Sequence, residues 1–147
     1  MDVAAIVDRL QIVDLINRVA AALDSRDWSS LRTCFAPDAV ETFSNGRAEG
    51  HDAIVSFCAQ ALGRLDVTQH LVSNIRTEVS GRAASARSYF QAQHVRRSAP
   101  GGDTFTIGGT YEDRLVRVGD EWRIAGRTLL RTWTAGNPAV LSEATRA

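Results

Sequence analysis

The hydrophobic pattern of this chain changes its period once, and that change limits the fold more than any other feature. Up to about residue 62, apart from a short stretch near residues 40–49, apolar residues recur at spacings of three and four, the repeat of an amphipathic helix. From about residue 68 to residue 134 they alternate with polar ones, the repeat of a strand with one buried face. Helices followed by a run of long strands imply an α+β fold, with the helices collected on one face of an antiparallel sheet.

The first helix is read over residues 3–23, with Ile6, Leu10, Val13, Ala20 and Leu23 on one side and Asp8, Gln11, Asp14 and Arg18 opposite. Asp27 can cap a second helix over residues 28–35, which Pro37 helps to end. A short hairpin follows, residues 40–43 and 47–49 around an Asn45-Gly46 turn, and then a third helix over residues 52–62. Four strands are read over residues 68–79, 84–97, 104–118 and 121–134, separated by Ser80-Gly81-Arg82, by Pro100-Gly101-Gly102-Asp103 and by Gly119-Asp120. The order is α-α-β-β-α-β-β-β-β: a curved sheet packed against three helices from the N-terminal half. No repeat or linker divides the chain, so residues 1–147 are expected to form one domain.

Several function classes lose their warrant. All 17 basic residues are arginine, which leaves no lysine for Schiff-base chemistry or pyridoxal phosphate. The nucleotide, zinc-protease and serine-hydrolase motifs are missing, so neither a cofactor nor a metal is expected. Formal net charge is zero, which argues against nucleic acid as a partner. No apolar run approaches the roughly 20 residues of a membrane span, and the N-terminus lacks the pattern of a secretory signal, so a cytoplasmic location is expected. Cys34 and Cys58 lie in apolar helical patterns and read as buried free thiols.

Three residues stand out as candidates for chemistry. At about 100° per residue Asp24 falls within roughly 20° of Val13, so it continues the apolar stripe of the first helix and points inward. A turn-starting role, bonding a nearby backbone amide, is the alternative. His70 and His94 lie on strands that the Ser80-Gly81-Arg82 turn makes neighbours, and an odd-length loop puts both on one face. An imidazole beside a carboxylate is an acid/base unit, because the carboxylate fixes the tautomer. Amphipathicity pulls the other way: Leu71, Ile75 and Val79 form the more apolar face, whereas His70 shares its face with Val72, Asn74 and Arg76. His51, before the third helix, reads as a solvent-exposed capping-region residue.

With Gly119-Asp120 as a two-residue loop, Leu115 pairs with Ile124, Tyr111 with Thr128, Gly109 with Leu130 and Glu112 with Arg127. That register puts Arg127 and Arg131 on the charged outer side, solvated or at a subunit contact. One strand back, the natural register sets Phe90 opposite Tyr111 and His94 opposite Ile107.

Phe35-Ala-Pro-Asp-Ala39, Gln69-His-Leu-Val-Ser-Asn74, Tyr111-Glu-Asp-Arg114 and Glu121-Trp-Arg-Ile124, with the helix bearing Asp24, resemble the SnoaL-like branch of the nuclear-transport-factor-2-like superfamily. Within it the match is to proteins related to scytalone dehydratase and hexachlorocyclohexane dehydrochlorinase. The resemblance implies a cone-like sheet and a catalytic dyad of Asp24 and His70, with His94 similar to the dehydratase's second histidine. It also implies a late arginine in the dehydrochlorinase manner, with Arg117 as its counterpart, and a homodimer, a trimer being the alternative. Leu23 and Phe43 replace the two tyrosines that hold a water in the dehydratase. The function expected is a cofactor-independent lyase acting on a small cyclic or polycyclic hydrophobic substrate, with Asn74, Phe90, Tyr111, Ile107 and Trp28 lining its pocket. An isomerase or cyclase of a polyketide- or steroid-like compound, and a non-catalytic binding or assembly module, are the other readings.

Overall fold

Helix α1 (Val3–Ser25) opens the chain in the computed structural model, which describes residues 2–142. It buries Ile12, Leu15, Ile16, Val19, Ala22 and Leu23. Four turns of i, i+3 and i+4 spacing lead back from these to Asp8, not to Ile6 and Leu10, which are exposed together with Val3 and Val7. Asp8, expected on the polar side, faces the sheet, where its carboxylate accepts from Trp122 Nε1 at 3.0 Å and from Arg117. Tertiary hydrogen bonding thus rotates the first turns away from the apolar stripe.

Helix α2 (Trp28–Thr33) is capped by Asp27, whose carboxylate accepts the Ser30 N–H. It is shorter than the sequence suggests, because Phe35 already opens strand β1 (Phe35–Phe43) and Pro37 lies within that strand. Strand β2 (Gly46–Glu49) completes the hairpin, and helix α3 (His51–Leu62) packs against both strands. The long strands are β3 (Val67–Ser80), β4 (Ala83–Val95), β5 (Thr104–Val118) and β6 (Glu121–Gly136). They form one six-stranded sheet in the order β2-β1-β6-β5-β4-β3. The curved sheet is antiparallel except where β1 runs parallel to β6, a pairing not expected from the sequence. A short helix α4 (Ala139–Ser142), also unexpected, buries Val140 and is held by Arg96, whose guanidinium donates to the Ala139 and Val140 carbonyls.

Three irregularities decide which side chains face inward. At the β3–β4 turn Ser80 pairs with Ala83, a two-residue connection that alone would turn His70 outward. Between Ser73 and Arg76, however, one extra residue is accommodated at Asn74, which adopts φ 53°. His70 therefore pairs with Ala92 and Thr68 with His94, and the two histidines share the inner face. The same bulge brings Ile75, Thr77 and Val79 to that face and sends Arg76 outward, so the conflict between His70 and the apolar residues of its strand disappears. Because only Gly and, less readily, Asn or Asp tolerate the left-handed region, Asn74→Val is expected to lose on the order of 1–2 kcal/mol, whereas Asn74→Gly is expected to stay within about 1 kcal/mol of the parent. Urea unfolding of the two variants measures this.

The β4–β5 pairing is offset by two residues from the expected one: Phe90 opposes Gly109, His94 opposes Phe105 and Ser88 opposes Tyr111. A shift of two is a full side-chain period, so the faces are unchanged. In the last hairpin Leu115 does pair with Ile124, but bulges at Ala125 and Thr132 then move the register. Tyr111 pairs with Leu129, Glu112 with Thr128, Asp113 with Arg127 and Gly109 with Arg131. Both arginines consequently lie on the inner face, which corrects the expectation that they are outside.

Candidate functional site

Asp24 sits in the last turn of α1 and reaches β3. Its carboxylate accepts the His70 backbone N–H, at 2.9 Å to Oδ2 and 3.1 Å to Oδ1, and lies 2.7 Å from His70 Nδ1 through Oδ1. A carboxylate at this distance accepts a hydrogen bond from Nδ1–H, which keeps the proton on Nδ1 and leaves the Nε2 lone pair free, the tautomer suited to a base. The turn-starting alternative is not what is seen: the backbone amide that Asp24 accepts belongs to His70, 46 residues away, so the carboxylate ties helix to strand while it contacts the imidazole. The His70 side chain is 6% exposed and that of Asp24 27%, so the pair is shielded without being sealed.

His94 lies diagonally across the ladder, its ring centre 6.2 Å from that of His70 and nearly perpendicular to it. Its Nδ1 is 3.0 Å from the Phe105 carbonyl oxygen, which can only accept, so the single proton of the neutral ring is on Nδ1. Burial pushes its ionisation down to about 4, opposed by the bond to Phe105 and assisted by the charges of His70 and Arg131. Near neutral pH His94 therefore presents an Nε2 lone pair and accepts hydrogen bonds; it has no proton to give a leaving group.

Phe90, Ile107 and Tyr111 are buried on the inner face, and the rings of Phe90 and Tyr111 stack with centres 4.3 Å apart. Trp28 is partly buried, as are Val72, Leu129, Phe43 and Phe57, the last two stacked at 3.9 Å. Partial burial of apolar side chains on the inner face marks where the helices leave the sheet uncovered. Asn74 does not join them: it is exposed, consumed by its bulge. His51, expected at the surface, is the first residue of α3 and its side chain is mostly buried. Cys34 and Cys58 are buried free thiols. Among the described residues no group of acids, histidines and cysteines could hold a metal ion.

Two arginines change roles. Arg117 bonds Asp8 and the Asp120 carbonyl and stacks over Trp122, so it closes the far end of the sheet and is not a site residue. Arg131, displaced inward by the bulge at Ala125, makes no hydrogen bond or ion pair among the described residues, and its charge acts on His94. Counting residues back from a tight turn could not find it, because bulges leave no reliable mark in one sequence.

Two grooves open on the outer face of the sheet, away from Asp24. One, of about 660 Å³, runs between charged residues including Arg76, Arg87, Glu112 and Arg114. The other, of about 440 Å³, is bounded by Leu71, Tyr89, Thr110 and Trp133. The Trp133 ring lies so close over Gly108 that a Cβ there would stand 2.0 Å from it.

A family model described as a SnoaL-like domain matches residues 4–128. A terrestric acid biosynthesis cluster protein of Penicillium crustosum is 32% identical over 145 residues, 95% of this chain and 92% of that protein. Among solved structures, a candidate scytalone dehydratase from Novosphingobium aromaticivorans superposes with a TM-score of 0.80 at 26% identity, covering 89% of this chain and 88% of its own. A type-3 hexachlorocyclohexane dehydrochlorinase from Novosphingobium barchaimii gives a TM-score of 0.82 at 18% identity, over 92% and 93%, and shows the fold alone. With the helix-backed curved sheet and the match over most of its length, the chain belongs to the SnoaL-like family.

Proposed function

We propose that the protein is a cofactor-independent lyase of the dehydratase or dehydrohalogenase type, acting on a small cyclic or polycyclic hydrophobic substrate. The observation that carries this reading is the 2.7 Å contact between Asp24 and His70 Nδ1, which leaves His70 Nε2 as a base. Nε2 removes a proton from a carbon next to a carbonyl, the C–H electrons form the new double bond, and the leaving group departs with its own electron pair. Asp24 stabilises the imidazolium meanwhile. Since His94 has no proton to give, a departing hydroxide regains the proton from His70 itself and leaves as water. Arg131, unpaired among the described residues and on the same face, suits charge developing on an oxygen or halide. Phe90, Ile107 and Trp28 supply apolar surface for the ring system.

The terrestric acid cluster relative is consistent with work on a biosynthetic intermediate. The same base would serve an isomerase or cyclase, and product mass separates the two: elimination removes water or hydrogen halide, isomerisation removes nothing. The test is incubation with a panel of cyclic β-hydroxy ketones in D2O. Elimination product, together with deuterium entering the carbon acid, is expected; absence of both from the folded wild type, across the panel, would favour the non-catalytic binding module.

We also propose self-association through the outer face, where Leu71 is 60% and Trp133 43% exposed beside Tyr89 and Leu130. Sedimentation of Trp133→Glu is expected to show a smaller species than the wild type, whether that is a homodimer or a trimer. No helix among the described residues is long and apolar enough to cross a membrane.

A further inference from the structure

Beneath the Phe90–Tyr111 stack lies a second set of ionisable groups that the proposed chemistry does not use. Arg127 and Asp113 form a two-pronged ion pair, Nε to Oδ1 at 2.7 Å and Nη2 to Oδ2 at 2.9 Å, with side chains 2% and 0% exposed. The guanidinium also lies 4.0 Å over the Tyr111 ring. Across the β1–β6 seam the residue paired with Arg127 is Glu41, itself buried. Arg127 from β6 and Asp113 from β5 act on Glu41, and Glu41 in turn acts on Tyr111 of β5 and Cys58 of α3. Arg127 is the one cation in this set, and Asp113 already engages its Nε–Nη2 edge. A second carboxylate would leave the cluster with a net negative charge in a medium that solvates it poorly.

We propose that Glu41 is a proton-operated switch of the β1–β6 seam: as a neutral carboxylic acid it lets β1 close on the Asp113–Arg127 pair, and on ionisation it competes with Asp113 and loosens β1. The seam is suited to this, because β1 meets β6 near Glu41 through only Val40, Glu41 and Thr42 before its register breaks. Phe43, the next residue, stacks on Phe57 of α3 at the partly covered part of the inner face. Loosening β1 therefore reaches the wall of the candidate substrate pocket, although the switch itself does not depend on what that pocket does.

The direction of the effect follows from linkage. Burial raises the Glu41 ionisation from 4.5 to about 7, opposed by Arg127 and assisted by Asp113. A raised acid stabilises the fold fully below its unfolded value and ceases to do so as pH rises through its folded value. His94 works oppositely, since a depressed histidine withdraws stability as pH falls from its unfolded value of 6.5 towards about 4. Absolute curves mix the two, so the informative quantity is the difference between wild type and Glu41→Gln, which keeps the shape and cannot ionise.

The experiment is urea unfolding of both proteins from pH 5 to pH 8. The ratio of their folding constants is expected to move on the order of fiftyfold in favour of Glu41→Gln across that range. A ratio constant within twofold would overturn the proposal. Should Glu41→Gln fail to fold, 13C NMR of the wild-type glutamate carboxyls decides: one resonance titrating near 7 supports the switch, and all titrating below 5 overturns it. Neither readout involves substrate, so failure here is distinct from failure of the lyase reading.

Discussion

Arg127→Met is expected to lower the stability of this protein by about 3–5 kcal/mol, the loss that follows when one member of a buried ion pair is left alone. Asp113 would keep a carboxylate that is 0% exposed with no cation beside it, and Tyr111 would lose the guanidinium over its ring. The expectation is specific to the unpaired charge and not to the lost volume. The double variant Asp113→Leu with Arg127→Met removes both charges and is expected to recover most of the loss, because apolar residues of similar size can replace a buried pair at little net cost. Denaturant unfolding of the two single variants and the double variant closes the cycle. If Arg127→Met cost less than about 1 kcal/mol, the pair would not be the buried interaction that its geometry indicates.

Asp24→Asn is expected to reduce turnover by roughly 10²–10⁴-fold, the range associated with a positioned acid or base, while leaving the fold largely intact. The amide oxygen can still accept the His70 backbone N–H and so keep α1 tied to β3. Its NH2 group would then face Nδ1 and favour the other tautomer, with the proton on Nε2 and the base lost, the logic known from the aspartate of a serine-protease triad. His70→Ala is expected to fall in the same range, with no further loss when the two changes are combined, since both act on one unit. Steady-state kinetics on the substrate that the D2O panel identifies, alongside unfolding midpoints, separates chemistry from folding. Turnover within threefold of wild type in either variant would remove the acid/base dyad from the mechanism.

The two expectations differ in how far the sequence supports them. Asp24 was readable, because angular position on a helix accumulates predictably and the acid falls on the buried stripe. His70 was ambiguous: its own strand argued for an outward position, and the residue that reverses the argument, Asn74, looks like any polar strand residue until φ 53° is seen. The expected place of Asn74 is the substrate pocket, whereas its side chain is exposed and its φ of 53° carries the bulge of the strand. The tight-turn register puts Arg127 and Arg131 outside for the same reason, since an unmarked bulge at Ala125 inverts the assignments from there to the next bulge at Thr132. The first turns of α1 show the limit for helices, where Asp8 displaced the apolar stripe by finding two partners more than a hundred residues away.

By itself the sequence determined the class of fold, the order of its elements and the hairpin that starts at Gly119-Asp120, because these depend on periodicity and turn chemistry, which are local. Through its likeness to the SnoaL-like family it also brought Asp24, His70 and His94 forward together. Which residues share the interior was decided only by the tertiary structure. Side chains in a sheet alternate, so a single extra residue exchanges inside for outside over the rest of a strand, and the energy that selects the bulge comes from partners on other strands. The placement of the protons was decided there too: the Phe105 carbonyl holds the His94 proton on Nδ1, and the Asp24 carboxylate does the same for His70.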